Sequence, residues 1–172
     1  MSRILIVDDE PSNVLLLESF LTDTATKTRG VTDPRLVEQA FGEFEPDIML
    51  LDLRMPQPDG LEILRQLRSA RESLGFLPVI VLTADTSRVA RNSALVLGAD
   101  DFLTKPLDRA EVLLRVRNLL RTRDLYVELM AANHALERRV EHDRGHETVS
   151  TRDATPAVGQ PPEAFGRLIN HV

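Results

Sequence analysis

A chain of 172 residues, 42% hydrophobic and 28% charged, suits one domain with an ordinary core plus an appendage, and is too apolar for a disordered protein. Its net charge of −6 argues against nucleic acid as a general partner, and the absence of cysteine excludes disulfides, thiolate metal sites and cysteine nucleophiles. The apolar run Ile4-Leu5-Ile6-Val7 is too short for a signal peptide, and no window nears the ~18 apolar residues of a membrane helix, so a cytoplasmic protein without membrane contact is expected.

In chain order, Arg3-Ile4-Leu5-Ile6-Val7 reads as a buried strand ending in Asp8-Asp9-Glu10. Pro11-Ser12 opens a helix with Val14, Leu15, Leu17 and Leu21 at helical spacing; proline suits a first helical position, where its φ is preset and its missing N–H is not needed. Residues 27–31 form a weak, polar strand suited to a sheet edge, and Thr32-Asp33 caps a helix over 34–44. The run Asp47-Ile48-Met49-Leu50-Leu51-Asp52, between Pro46 and Pro56, reads as a strand buried on both faces, the habit of a central strand in a parallel sheet. Asp59-Gly60 leads into an amphipathic helix carrying Leu61, Ile63, Leu64 and Leu67. Residues 78–83 are a fourth buried strand; Asp85-Thr86-Ser87 then caps a helix to about Leu97, which Gly98 stops. Asp101-Phe102-Leu103-Thr104 is a short fifth strand, followed by Lys105-Pro106 and by a last helix that starts near Asp108. Five strands alternating with five helices predict an α/β fold, a parallel sheet covered on both faces through right-handed crossovers.

That topology gathers chemistry. Asp8, Asp9, Asp52, Thr83 and Lys105 fall at or just after the carboxyl ends of four strands. In a parallel sheet those ends share one edge, where ligands bind. Three carboxylates within a few ångström repel one another, so one pKa should rise unless a cation joins them. A hard divalent ion such as Mg²⁺, which takes oxygen ligands and keeps room for waters and phosphate, is the natural guest. A lysine and a hydroxyl opposite would face phosphoryl oxygens, and phosphoryl transfer is largely positioning and charge neutralisation. Taken singly, each residue has a plainer reading: Asp52 as a strand end, Asp8-Asp9 as a helix cap, Thr83 as an ordinary strand terminus, Phe102 as core. Their joint occurrence carries the inference.

The set Asp8-Asp9, Asp52 with Met55-Pro56 and Asp59-Gly60, Thr83-Ala84 and Lys105-Pro106 resembles the receiver domain of bacterial two-component response regulators, over residues 1–122. The resemblance implies a flavodoxin-like five-stranded parallel sheet of order 2-1-3-4-5. It implies that Asp52 accepts a phosphoryl group from a sensor histidine kinase or phosphotransfer protein in a Mg²⁺-dependent reaction. Asp9 would ligate the metal directly, Asp8 through water, and the Arg54 backbone carbonyl would complete the shell. Thr83 and Lys105 would meet the phosphoryl oxygens, Thr83 and Phe102 would form the conformational switch, and the Lys105–Pro106 bond would be cis. The implied chemistry stops at accepting and losing that phosphoryl group, with no turnover enzyme. Arg54 stands where aspartate-nucleophile phosphatases carry a second aspartate, which counts against that class. Asp8-Asp9-Glu10-Pro11 is the opposite of a dinucleotide-binding glycine turn.

From Asp108 the helical pattern runs on with no glycine or proline until Gly145. Leu125, Leu129, Ala132, Leu136 and Val140 step at 4-3-4-4, about two heptads of seam, so residues 123–144 are expected to form a helical extension that pairs in a homodimer. Folding back on its own receiver is the alternative. His142 and His146 have metal-compatible spacing but no third ligand, and residues 145–172 read as a disordered tail. No helix-turn-helix fits there, so no direct DNA binding is expected. A phosphorylation-switched module, a constitutive dimerisation adaptor and the front end of a larger regulator with an enzymatic output are the functions this pattern allows.

Overall fold

The computed structural model describes residues 1–22, 26–69, 75–84 and 88–147, and of 88–91 and 140–147 the backbone alone. Strands β1 (Ser2–Val7), β2 (Thr26–Val31), β3 (Ile48–Asp52), β4 (Val79–Thr83) and β5 (Asp101–Thr104) alternate with helices α1 (Pro11–Leu21), α2 (Val37–Phe44), α3 (Gly60–Ser69), α4 (Arg88–Val96) and α5 (Arg109–Glu147). All strand pairs are parallel and the order is β2-β1-β3-β4-β5, the predicted flavodoxin-like arrangement. β3 is buried at all five positions and β2 at only one, as expected of a central strand and an edge.

Strand alternation divides the core in two. Leu5, Val7, Met49, Leu51, Val79 and Val81 face one side and pack with Val37, Ala40, Ile63, Leu64 and Ala94 of α2, α3 and α4. Ile4, Ile6, Ile48, Leu50, Ile80 and Leu82 face the other and pack with α1 and with Val112 and Val116 of α5. Each fully buried aliphatic side chain contributes about 1.5–3 kcal/mol, so the two layers hold the strand ends rigidly enough to aim the side chains they carry.

Several local expectations shift. Leu15 was expected on the buried face of α1 but is 66% exposed, whereas Val14, Leu17 and Leu21 are buried. At 100° per residue Leu15 falls 100° or more around the helix from each of Val14, Leu17 and Leu21, off the face they share. The predicted helix over 34–44 begins as a 3₁₀ turn, Pro34–Leu36, in which the Arg35 N–H donates to the Asp33 side chain and the Leu36 N–H to the Asp33 carbonyl; α2 follows and ends at Glu45 in the left-handed region, φ 46°. α4 stops at Gly98, whose φ of +106° only glycine adopts without strain. The expected cap Asp85-Thr86-Ser87 lies outside the described residues, as do the side chains of Val140, His142 and His146 and all of residues 148–172. α5 itself continues through Gly145 to Glu147.

The chain divides into compact units Met1–Ala131 and Ala132–Val172. The first runs past residue 122 because α5 keeps touching it. Arg123 pairs with Asp47 at 2.9 Å, Asp47 also accepts the Arg3 N–H, and the Tyr126 and Phe76 rings lie 5.4 Å apart. Among the described residues no helix is long and apolar enough to cross a membrane.

Candidate functional site

The structure brings the five predicted rim residues together at the carboxyl edge of the sheet. Asp8 follows β1, is fully buried, and takes three donors: the Glu10 N–H and Asn13 Nδ2 on Oδ1, each at 3.0 Å, and Lys105 Nζ on Oδ2 at 2.8 Å. Asp52 ends β3; its Oδ2 accepts from the same ammonium at 2.9 Å and its Oδ1 from the Arg54 backbone N–H at 3.3 Å. Lys105 therefore bridges two carboxylates that are 97 and 53 residues away in sequence. Carboxylate oxygens of Asp8, Asp9 and Asp52 lie within 4.8 Å of one another. Thr83, buried at the end of β4, sits one residue beyond Leu82, the register partner of Asp52.

Backbone bonds explain why these residues stay in place. The Thr83 carbonyl accepts the Lys105 N–H at 2.8 Å, so the end of β4 holds the loop that carries the lysine, and the Lys105–Pro106 bond is cis as predicted. A second cis bond, Gln57–Pro58, was not foreseen. Asp59 caps α3 by accepting the Glu62 N–H at 2.8 Å. Gly60 sits against the backbone of Asp52 and Leu53 so closely that a Cβ would lie 2.1 Å from the Asp52 carbonyl oxygen. The Asp-Gly pair after the acidic strand thus lets a helix start directly behind Asp52.

The electrostatics follow from burial. Asp52 is held above the ordinary carboxylate range, chiefly because burial disfavours its charge; Lys105 and the Arg54 N–H pull the other way, and the Asp8 charge adds a smaller upward push. The sequence led to an expected rise from mutual repulsion, and burial is the larger cause. Lys105 is also raised: burial opposes its charge, but hydrogen bonds from its ammonium to Asp8 and Asp52 outweigh that. Three carboxylates and one ammonium leave a formal charge of −2, and the donors are hard oxygens within reach of one centre, so the cluster fits a divalent ion such as Mg²⁺.

Phe102, on β5 opposite Val81, is half-buried, and the Arg115 guanidinium lies 5.6 Å from its ring centroid. Arg115 is itself tied to Asp101 and Glu111. The sequence reading missed both Arg115 and Asn13. Glu111 and Arg115 at i, i+4 were a legible helix pair; nothing in the sequence tied either of them to Phe102, or Asn13 to Asp8.

Residues 4–117 match the family model for the response regulator receiver domain. The chain is 37% identical over 154 residues to the transcriptional regulatory protein TrcR of Mycobacterium tuberculosis, covering 90% of this chain and 58% of that protein. It is 38% identical over 118 residues to GltR of Pseudomonas aeruginosa, with 69% and 48% covered, and 40% identical over 129 residues to the response regulator PleD of Caulobacter vibrioides, with 74% and 28% covered. It therefore spans about half the length of two of these relatives and less of the third. Among solved structures, the receiver domain of a Francisella response regulator superposes with a TM-score of 0.65 at 26% identity, covering 71% of this chain and 98% of that one. The Vibrio cholerae chemotaxis protein CheY4 gives 0.62 at 26%, with 70% and 98% covered. Two of these relatives are named transcriptional regulatory proteins, so the comparisons give no support to the expectation of no direct DNA binding.

Proposed function

The chain belongs to the response regulator receiver family, and on that premise we propose that it is a phosphorylation-dependent signalling module in which Asp52 is the phosphoacceptor. The observation that carries this reading is the Lys105 ammonium, placed between Asp8 and Asp52 within a three-carboxylate cluster at the sheet's carboxyl edge. An Asp52 carboxylate oxygen attacks the phosphorus of a phosphohistidine on a histidine kinase or phosphotransfer protein. The P–O bond forms as the P–N bond breaks, and the departing imidazole takes up a proton. Water later attacks the acyl phosphate, releasing inorganic phosphate and restoring Asp52.

Asp9 and Asp52 would hold Mg²⁺ directly, with the Arg54 carbonyl completing the shell. Asp8 would act through water, a role supported by the three protein donors it already serves. When bound, Mg²⁺ neutralises charge on the phosphoryl oxygens. Lys105 then transfers its hydrogen bonding from the Asp52 carboxylate to the phosphoryl group, and the Thr83 hydroxyl moves inward to donate to it. Phe102 follows into the space vacated, giving up its contact with the Arg115 guanidinium. With acetyl phosphate as donor, mass spectrometry should find Asp52 phosphorylated with Mg²⁺ and unmodified in EDTA, and Asp52→Asn should abolish labelling. Equal labelling in EDTA would overturn the metal assignment.

The output we propose is a change in homodimer affinity through α5. A hundredfold change needs about 2.7 kcal/mol of differential contact, which burying one or two apolar side chains supplies. Truncation after Arg123 should leave Asp52 labelling intact and weaken the dimer.

A further inference from the structure

Buried Asp8 has little acceptor capacity left. An ionised carboxylate offers about four lone-pair sites, two on each oxygen. On Asp8 the Glu10 N–H and the Asn13 amide both donate to Oδ1 at 3.0 Å, and Lys105 Nζ donates to Oδ2 at 2.8 Å. Oδ1 is therefore closed, and a single site stays open on Oδ2. Asp52 keeps one open on each oxygen, beside the Arg54 N–H and Lys105, and Asp9 accepts from no donor among the described residues. The three carboxylates are thus unequal, and a side chain outside the cluster helps to make them so. Asn13 is the third residue of α1, where side chains lean toward the helix N-terminus and so back toward the end of β1. Pro11 at the helix start, and the 3.0 Å bond from the Asn13 N–H to the Glu10 carbonyl, fix the turn that aims it.

We propose that Asn13 is a positioning residue that sets which divalent ion the cluster takes, by keeping Asp8 from offering both oxygens to a metal. This rests on the reading of the three carboxylates as the Mg²⁺ site and names what tunes it. Mg²⁺ is served by one or two carboxylates and keeps several waters, whereas Ca²⁺ takes about 6–8 oxygens and accepts both oxygens of one carboxylate. With Oδ1 closed, Asp8 has one lone pair to give, enough to hold a metal-bound water and too few for a two-oxygen grip. Without the Asn13 amide, the Glu10 N–H still occupies one site on Oδ1 and Lys105 one on Oδ2, so each oxygen has one lone pair free. That carboxylate suits the larger ion. Lys105 also serves Asp52, and the Glu10 N–H is backbone, so Asn13 is the donor that acts on Asp8 alone and can be changed without altering the charge of the site.

The test is isothermal calorimetry on the full-length chain with Mg²⁺ and Ca²⁺ as probes, comparing the parent with Asn13→Ala and Asn13→Leu. Alanine and leucine are both better helix formers than asparagine, so α1 keeps its start, and metal-free melts followed by circular dichroism check the fold. Both variants should raise Ca²⁺ affinity relative to Mg²⁺ by about tenfold, the size of effect that hydrogen-bond partners of metal ligands have. The ratio is the decisive readout, because a site that had merely loosened would weaken both ions alike. An unchanged ratio, or equal weakening of the two ions, would overturn the role of Asn13 and leave the metal site standing. Asp9→Ala should remove the binding heat of the parent. A parent that binds neither ion, or that binds them equally well with Asp9→Ala, would overturn the metal site itself and this inference with it.

Discussion

Replacing Gly60 by alanine tests whether close approach behind Asp52 is what makes the site. The added Cβ would lie 2.1 Å from the Asp52 carbonyl oxygen, 2.7 Å from the Leu53 Cα and 2.9 Å from the Asp52 carbonyl carbon. All three are backbone atoms, so no side chain can turn aside and helix and strand must part by about 1 Å or more to reach ordinary contact. Inserting a carbon into a packed site costs typically 1–3 kcal/mol, and rigid backbone puts this case at the upper end. The bond from the Gly60 N–H to the Leu53 carbonyl, 3.3 Å, would also be strained, adding about 1 kcal/mol. A loss of about 3–4 kcal/mol is expected, a large share of the 5–15 kcal/mol that domains have. Gly42→Ala is the control: it lies in α2 with nothing within 4 Å of its Cβ, and alanine there should stabilise by about 0.5–1 kcal/mol. In urea titrations followed by circular dichroism, with m near 2 kcal/mol/M, the Gly60→Ala midpoint should fall by roughly 1.5–2 M while the Gly42→Ala midpoint rises slightly. A Gly60→Ala midpoint within 0.3 M of the parent would refute the reasoning, because the helix would then have had room to move.

The remaining expectations concern charge and backbone strain. Asp52 is held above its ordinary value of 3.8, so its contribution to stability is complete below that pH and is lost as pH rises through the raised value. Asp52→Asn should therefore melt higher than the parent at pH 7.5, with the gap narrowing toward pH 4; a lower melting temperature at pH 7.5 would contradict it. Lys105→Met strips a shared partner from Asp8 and Asp52, whose side chains are 0% and 6% exposed, and should cost about 3–5 kcal/mol. Millimolar Mg²⁺ should restore part of that loss in thermal melts, and no response to Mg²⁺ would count against the cluster as its site. Glu45→Gly relieves a left-handed residue worth about 1–2 kcal/mol and forfeits an exposed pair with Arg3 worth a few tenths. A net gain of about 1 kcal/mol should appear as a raised denaturation midpoint.

Local pattern alone determined much of this protein. Alternation of apolar runs with helical spacing specified five strands and five helices. The parallel topology that follows brings the ends of β1, β3, β4 and β5 to one edge, so the cluster of Asp8, Asp9, Asp52, Thr83 and Lys105 was legible before any coordinate. The Asp-Gly pair and Lys105-Pro106 were legible as motif, although the reason for Gly60, backbone on backbone, was not. Only tertiary structure decided that Lys105 bridges Asp8 and Asp52, that Asn13 secures Asp8, and that Arg115 lies against Phe102. It also decided that Leu15 stays in solvent while Arg123 and Tyr126 keep α5 on the first unit. The physical reason is one of range. Periodicity and capping act over a few residues and are written in the local sequence. Which side chain meets which across 50 or 100 residues depends on how layers pack, and so does how far burial outweighs charge at Asp52.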